Sequence, residues 1–259
     1  MSSDWSTELE LALELAAAAD AITLPAFRSQ TLAVERKRDG SEVTAADRAA
    51  EAAIRDRVAA ARPDHGVFGE EFGRSGDGSP WQWIVDPIDG TSGFVRGIPV
   101  WATLIALTHA ELGVVAAAVS APALGARWWA ARGGGTFADG RRCHVSDVDR
   151  VADAQVSVTF SAGWDELGLT PVLTALAGEA RRARGFGDFW QHALVAEGAV
   201  DVAIDAVGVA PYDIAAVRLL VEEAGGMLTD REGVATHEGG TAISTNGVLH
   251  AEVLRRLQL

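Results

Sequence analysis

Two aspartates, Asp86 and Asp89, lie three residues apart in a stretch that restricts the backbone. Pro87 fixes its own φ angle and pushes the residue before it towards an extended conformation. The Asp89-Gly90 pair then favours a turn. Two carboxylates on such a rigid turn could converge on one cation or on a pair of cations. Mg²⁺ is the cation that prefers carboxylate, water and phosphate oxygens.

The residues after the second aspartate could bind phosphate. Gly90 and Thr91 are predicted to begin a helical turn. The free N–H groups of such a helix start would point to the same place as the two carboxylates, and a helix start binds phosphate readily. The same residues are also compatible with a purely structural turn. The choice between the two interpretations depends on the rest of the chain.

Other acidic residues accompany this turn, and each alone has a structural explanation. Glu70 lies in a glycine-flanked segment, 69–73, that could be a solvated loop. Asp47 follows Thr44 by three residues, which is the spacing of a helix capping box. Asp213 stands at the predicted start of a helix, where an acid is a common cap. Taken together and in this order, the acids indicate a metal site.

Hydrophobic spacing and turn residues predict the elements that would hold these side chains. The first half is predicted to contain helices over 4–30 and 44–61, a turn over 38–41, and strands over 31–37, 83–85, 101–108, 113–119 and 127–131. The second half is predicted to contain strands over 156–160, 202–204, 227–228 and 242–244, and helices over 189–198, 212–224 and from 248. Helices that flank sheets indicate a layered α/β or α+β sandwich.

Charge and cysteine content exclude several function classes. The 259 residues include 22 Lys and Arg against 36 Asp and Glu, a formal charge of −14. Non-specific nucleic-acid binding needs a basic surface, so no nucleic-acid partner is expected. Cys143 is the only cysteine, which excludes an internal disulfide and argues against a cysteine-based zinc site.

The apolar segments do not predict a membrane protein. The longest one, residues 100–123, is interrupted by His109, Glu111 and turn residues, and it is predicted to be two strands rather than a membrane span. The first ten residues lack the basic region of a signal peptide. We therefore expect a soluble, cytoplasmic protein without a membrane partner.

In these motifs the chain resembles the inositol monophosphatase superfamily of Mg²⁺-dependent phosphomonoesterases. The segments that carry the resemblance are 43–47, 69–71, 83–91, 212–216 and 223–226. Within the superfamily it is most similar to the bacterial histidinol-phosphatase branch of the actinobacterial type. The segments that carry this second resemblance are 94–107, 120–124, 127–133, 187–189 and 194–201.

The resemblance implies a fold and an assembly. The expected fold is the α/β (α+β) layered αβαβα sandwich of this phosphatase family. Residues 1–145 would form an N-terminal half with most of the metal ligands, and residues 146–259 a C-terminal half with the last metal aspartate. The two halves would make one compact catalytic unit, and a homodimer is expected.

The resemblance also implies metal ligands. Asp86 would bridge two Mg²⁺ ions. Glu70 and the backbone carbonyl of Ile88 would complete the first site, and Asp89 and Asp213 the second. Two or three ions are expected, with Mn²⁺ as a possible substitute.

Further roles follow from the same resemblance. Asp47 would lie near a weaker third metal site or orient water there, and Thr91 would position the attacking water. Gly90 and Thr91 would offer N–H groups to the phosphate, which Asp89 would also approach. The expected chemistry is direct hydrolysis by metal-activated water, without a protein nucleophile.

The expected substrate is L-histidinol phosphate, in histidine biosynthesis. Its ammonium group calls for carboxylates, and Asp188 and Asp205 are the candidates. Phe189 and Trp190 could line the ring, although core packing explains these two residues better.

Departures from the family pattern keep alternatives open. Gly93 replaces the usual Asn, Tyr212 replaces Trp, and segment 205–211 keeps one acid where relatives often have a pair. One alternative is an inositol-1-phosphate phosphatase, or a broad sugar- or nucleotide-phosphate phosphatase. Another is a catalytically impaired, metal-binding scaffold.

Overall fold

The computed structural model describes residues 5–29, 34–36, 42–76 and 78–258. By internal packing the chain divides into two units, Met1–Gly133 and Gly134–Leu259. The catalytic halves placed at 1–145 and 146–259 from the sequence stay a prediction. The turn predicted at 38–41 lies outside the described residues, as do most residues of the strand predicted at 31–37.

The described part of the first unit is a mixed sheet with helices. Its elements are α1 (Ser6–Ser29), β1 (Val34–Arg36), β2 (Glu42–Thr44), α2 (Ala45–Ala61), β3 (Gly66–Gly69), β4 (Gly73–Ser75), β5 (Trp81–Asp89), α3 (Thr91–Val95), β6 (Ala102–His109), β7 (Gly113–Ala121) and β8 (Ala126–Ala131). Strands β1 and β2 pair with each other, and the other strands of this unit lie in the order β8-β7-β6-β5-β3-β4. The β3–β5 pair is parallel and the other pairs in this run are antiparallel. The predicted helices α1 and α2 and the predicted β6–β7 hairpin are confirmed.

One apolar core holds α1 and α2 on this sheet. Helix residues Leu15 and Ile54 are fully buried with Trp83 of β5 and Ile105 of β6. The helical spacing of the apolar residues in α1 produces this face. The core packs α2 and β5 together, and both of these elements bear acidic residues of the predicted site.

Strand β5 differs from its prediction in a way that matters for the acids. The sequence predicted a strand over 83–85 that leads into Asp86, whereas the strand runs on to Asp89 with a register shift between Asp86 and Asp89. Pro87 has no N–H to donate, so the ladder to β6 is interrupted at that point. The Thr103 hydroxyl donates to the Pro87 carbonyl at 2.8 Å and satisfies it.

The described part of the second unit is built on a smaller sheet. Its elements are β9 (Gly135–Ala138), β10 (Arg141–Arg142), a 3₁₀ turn (Val151–Asp153), β11 (Gln155–Val158), α4 (Ala162–Glu166), α5 (Thr170–Glu179), β12 (Arg182–Arg184), α6 (Asp188–Ala196), β13 (Val202–Ile204), α7 (Pro211–Glu223), β14 (Met227–Thr229), β15 (Ile243–Thr245) and α8 (His250–Leu257). The five-stranded sheet has the order β12-β11-β13-β15-β14. Its strands β11, β13, β14 and β15 and helices α6, α7 and α8 agree with the sequence prediction. Helices α4 and α5 were not predicted; α4 has five residues and is too short to show a helical repeat.

Among the helices that the structure describes, none is both long enough and apolar enough to cross a bilayer.

Candidate active site

Asp86 and Asp89 lie together at the end of β5. Both are buried, with 2% and 8% of their surface exposed, and each offers a carboxylate oxygen within 4.8 Å of the other. The Asp86 Oδ1 atom accepts a hydrogen bond from the Ile88 backbone N–H at 2.9 Å. The bulge around Pro87 therefore turns both carboxylates to one place, which provides a compact set of hard oxygen donors for a divalent cation.

The predicted helix start follows directly. Gly90 caps the short helix α3 with φ +84° and ψ 34°, a left-handed conformation that glycine adopts without strain. The Gly90 carbonyl accepts from the Phe94 N–H at 3.0 Å. The Thr91 hydroxyl donates to the Ile88 carbonyl at 2.8 Å. The expected turn, with the N–H groups of Gly90 and Thr91 at its start, is confirmed as local structure.

Asp47 belongs to the same neighbourhood through a contact that the sequence did not show. It is fully buried in the first turn of α2, where its Oδ2 accepts from the Thr44 N–H at 2.9 Å and from the Thr44 hydroxyl at 2.6 Å. Its Oδ1 lies 3.4 Å from the Thr91 hydroxyl. Burial raises the pKa of the Asp47 carboxyl, and the Thr44 hydrogen bonds oppose that rise. The capping box is confirmed.

Glu70 follows the last residue of β3. Its N–H donates to the Val85 carbonyl at 3.3 Å, and the parallel register pairs Gly69 with Val85, the residue before Asp86. The side chain of Glu70 is half-buried. The backbone of Glu70 thus lies next to β5, the strand whose end bears Asp86 and Asp89.

Asp213 lies in the second unit, in the first turn of α7. Its Oδ2 accepts from the Ala210 N–H at 2.7 Å, so it caps the helix as expected, and its side chain is half-buried. Pro211 at the first helical position suits this start because proline has no N–H to satisfy there.

Asp188 has an unusual backbone for a residue other than glycine. Its φ is +46°, in the left-handed region, at the start of α6. Its side chain is exposed to solvent. Loss of hydration to the surrounding protein, together with the charge of Asp205, nevertheless raises the pKa of Asp188 to about 6, while His192 opposes the rise. A residue other than glycine is uncommon in this region, and such positions are concentrated at functional sites.

Asp205 is buried and already has partners in the second unit. Its Oδ2 lies 3.0 Å from His192 Nε2, and its Oδ1 accepts from the Ala206 N–H at 2.7 Å. The other ring nitrogen of His192 lies 2.7 Å from the Ser244 hydroxyl. This arrangement has the order Ser-His-Asp, but Ser244 is fully buried and cannot reach a substrate. The sequence showed no signal for this network. Phe189 is 1% exposed, in agreement with core packing.

Gly93 occupies a tight position after the helix start. A Cβ atom there would lie 3.2 Å from the Val100 carbonyl oxygen. The Gly93 carbonyl accepts from the Ile98 N–H at 2.9 Å. The turn is therefore closed by backbone contacts in this chain without the Asn that the family usually has.

Comparison with known proteins supplies a family. A family model described as "Inositol monophosphatase family" matches residues 4–258. A protein of Mycobacterium tuberculosis named "Histidinol-phosphatase" is 50% identical over 255 residues, 96% of this chain and 97% of that protein. A protein of Streptomyces coelicolor with the same name is 44% identical over 259 residues, 97% of each chain.

A solved structure is similar along the whole chain. It is that of the extragenic suppressor protein suhB from Bartonella henselae, with a TM-score of 0.90, 31% identity, and coverage of 98% of this chain and 99% of that one. The fold class expected from the sequence, a layered α/β sandwich of the inositol monophosphatase type, is thereby confirmed.

Proposed function

Since the chain belongs to the inositol monophosphatase family and is a phosphomonoesterase, we propose that it hydrolyses L-histidinol phosphate to L-histidinol and phosphate in histidine biosynthesis. The observation that supports this chemistry most directly is the buried pair Asp86 and Asp89, with oxygens within 4.8 Å, next to the helix start at Thr91. The choice of substrate rests on the names of the relatives with 50% and 44% identity.

The donors fit Mg²⁺, and we assign them as two sites. Asp86 would bridge the ions, Glu70 and the Ile88 carbonyl would complete one site, and Asp89 and Asp213 the other. The Ile88 carbonyl accepts one hydrogen bond, from Thr91, and a carbonyl oxygen has a second lone pair for a metal. When bound, the ions would neutralise the phosphate charge and lower the pKa of a bound water. A third, weaker ion near Asp47 and substitution by Mn²⁺ are part of the proposal.

Thr91 would orient the attacking water. Its single proton goes to the Ile88 carbonyl at 2.8 Å, which is shorter than its 3.4 Å contact with Asp47. Its oxygen lone pairs therefore stay available to accept a hydrogen bond from water. The N–H groups of Gly90 and Thr91, at the start of α3, would bind the phosphate oxygens.

The ammonium group of the substrate would meet Asp188. This carboxylate is exposed and becomes charged above about pH 6. Asp205 would contribute negative charge from its buried position, although His192 and Ala206 already bind its two oxygens. A polyol phosphate without an ammonium group, such as inositol 1-phosphate, would gain nothing from this pair of charges.

We further propose that the protein acts in the cytoplasm and as a homodimer. The lone, buried Cys143 suits a reducing compartment. The homodimer rests on family resemblance alone, and sedimentation analysis of the purified chain tests it.

The test is phosphate release with and without Mg²⁺ on L-histidinol phosphate and inositol 1-phosphate in parallel. We expect Mg²⁺-dependent release with preference for histidinol phosphate. Asp86→Asn should lower kcat/KM about 1000-fold, because metal charge stabilisation is worth several kcal/mol and each factor of ten is about 1.4 kcal/mol. Asp56→Asn, which removes an exposed carboxylate from α2, is the matched control.

The outcomes separate the alternatives. Equal or reversed preference between the two substrates would leave the assignment as a phosphatase intact but reject L-histidinol phosphate as the substrate. Mg²⁺ binding without release of phosphate from any phosphate ester would indicate that the protein is a catalytically impaired, metal-binding scaffold. Near-normal turnover by Asp86→Asn would reject the metal assignment.

A further inference from the structure

Glu51 is a fully buried carboxylate on α2, one helical turn after Asp47. A buried carboxylate is costly unless its oxygens are hydrogen-bonded and its charge is paired. For Glu51, both the hydrogen bonds and the opposite charge are present. They come from Arg55 on the same helix and from the turn that follows β3. The Arg55 Nε atom donates to Oε1 at 2.8 Å, and the remaining partners all come from the turn that follows β3.

The turn between β3 and β4 bears Glu70, and Glu51 holds its backbone. Glu51 Oε2 accepts from the Glu71 N–H at 2.7 Å, and Oε1 accepts from the Phe72 N–H at 3.2 Å. On the other side of Glu70, its own N–H donates to the Val85 carbonyl of β5. Glu70 is therefore fixed at its own amide and at the amide that follows it.

Arg55 holds the far end of the same turn. Its guanidinium donates to the Gly73 carbonyl and, at 3.0 Å, to the Ser75 hydroxyl. The Phe72 side chain at the tip is 50% exposed, so apolar burial contributes little to order there. Polar contacts with α2 therefore restrain the turn, together with the pairing of Gly69 with Gly73 and the bond from Glu70 to β5.

Gly69 leaves the room that this arrangement needs. A Cβ atom at residue 69 would overlap the Glu51 carboxylate. The φ of Gly69 is not in the left-handed region, so close approach rather than backbone conformation requires the glycine.

From these contacts we propose that Glu51 is a positioning residue that sets the placement of Glu70 for Mg²⁺, with Arg55 fixing Glu51. The inference rests on the proposed function, because it takes Glu70 as a metal ligand. Residues that orient metal ligands typically affect metal affinity by about 10- to 100-fold when they are changed.

The central test is Glu51→Gln in the full chain. A Gln amide has one acceptor oxygen, and its NH₂ group would face a donor, so at least one of the three N–H groups would lose its partner. We expect the Kd for Mg²⁺, measured by calorimetry on metal-free protein, to rise about tenfold or more. We also expect faster amide hydrogen exchange at Glu71 and Phe72 in the absence of metal.

Two further variants and one control complete the test. Gly69→Ala keeps Glu51 but displaces its carboxylate, and it should raise the Kd for Mg²⁺ in the same way. Asp56→Asn removes an exposed carboxylate from the same helix and should leave both the Kd and the exchange rates unchanged. Glu70→Gln provides the reference effect of losing a proposed ligand.

The outcomes decide between the two proposals. If Glu70→Gln weakens Mg²⁺ binding while Glu51→Gln and Gly69→Ala do not, the positioning role is rejected and the metal assignment stands. A merely structural role would lower the melting temperature without changing the Kd, and it would also reject the proposal. If the unchanged chain binds no Mg²⁺, both proposals fail. If Glu51→Gln does not fold, Gly69→Ala decides; failure of both to fold would show a role in folding instead.

Discussion

A carboxylate oxygen of Asp47 lies 3.4 Å from the hydroxyl oxygen of Thr91, although 44 positions separate the two residues along the chain. Asp47 is held in the first turn of α2 by Thr44, and Thr91 begins α3. The contact therefore joins the starts of two helices. It leaves the Thr91 hydroxyl between a carboxyl oxygen and a carbonyl oxygen, which restricts the rotation of that hydroxyl.

This restriction predicts the effect of Thr91→Val. The variant keeps the shape of the side chain and removes the hydroxyl, so a water in the site loses its acceptor. We expect kcat to fall about 100-fold with little change in KM, since misplacing a reacting group by about 1 Å can cost about 10²-fold. Thr91→Ser keeps the hydroxyl and should retain most activity. Steady-state kinetics check both, and a large KM effect with unchanged kcat would contradict the role in turnover.

Asp188 predicts a pH dependence that belongs to one substrate. Its raised pKa of about 6 means that its charge, and its attraction for an ammonium group, are lost as the pH falls below about 6. The variant Asp188→Asn removes this charge without changing the backbone, because Asn, like Asp, tolerates the left-handed conformation. We expect it to raise KM for L-histidinol phosphate about fivefold at pH 7.5, as for an exposed ion pair of about 1 kcal/mol.

Inositol 1-phosphate is the control for this variant. It has the same phosphate titration but no ammonium group, so its KM should not change in Asp188→Asn. Equal changes in KM for both substrates would show that Asp188 acts on the fold or the phosphate rather than on the cation.

The close packing at Gly93 predicts that Gly93→Asn, which restores the residue usual in the family, will improve neither stability nor turnover. A Cβ atom would lie 3.2 Å from the Val100 carbonyl oxygen, so Gly93→Asn crowds the turn. We expect it to lower the free energy of unfolding by about 1 kcal/mol, as modest overpacking does, without raising kcat. Gly178→Asn, at an exposed position where a Cβ atom meets nothing within 4 Å and φ is not positive, is the matched control. A clear rise in kcat for Gly93→Asn would favour the impaired-scaffold interpretation.

The buried His250 predicts a loss of stability in mild acid. Its ring nitrogens lie 3.0 Å from the hydroxyls of Thr229 and Thr245, and burial lowers its pKa from the ordinary value of about 6.5. Below pH 6.5 the unfolded chain takes up the proton and the folded chain does not, so the free energy of unfolding falls as the pH falls towards the lowered pKa.

Denaturant unfolding between pH 7.5 and 5 measures this effect. We expect His250→Gln to be less stable at pH 7.5 but to lose less stability on acidification than the unchanged chain. His144→Gln, at an exposed position, should keep the full pH dependence. An unchanged slope in His250→Gln would show that other groups cause the loss.

The turn from Asp86 to Thr91 could be predicted from the sequence because the forces that form it are local. Pro87 and Gly90 restrict their own backbone angles and those of their neighbours, whatever surrounds them. The same holds for the capping box at Thr44 and Asp47. Even here the sequence misplaced the end of β5, since the sheet partner β6 extends the strand to Asp89.

The tertiary structure alone decided which of these groups meet distant partners. An acid in the first turn of a helix has the same sequence pattern whether it faces water, as a plain cap, or a hydroxyl 44 positions away, as Asp47 does. Glu51 could have been suspected from its place one turn after Asp47, but its bonds to Glu71 and Phe72 depend on where α2 packs. His192, Asp205 and Ser244 likewise come together through the packing of α6 on its sheet. Local sequence determines backbone angles, whereas burial of apolar faces determines which side chains become neighbours.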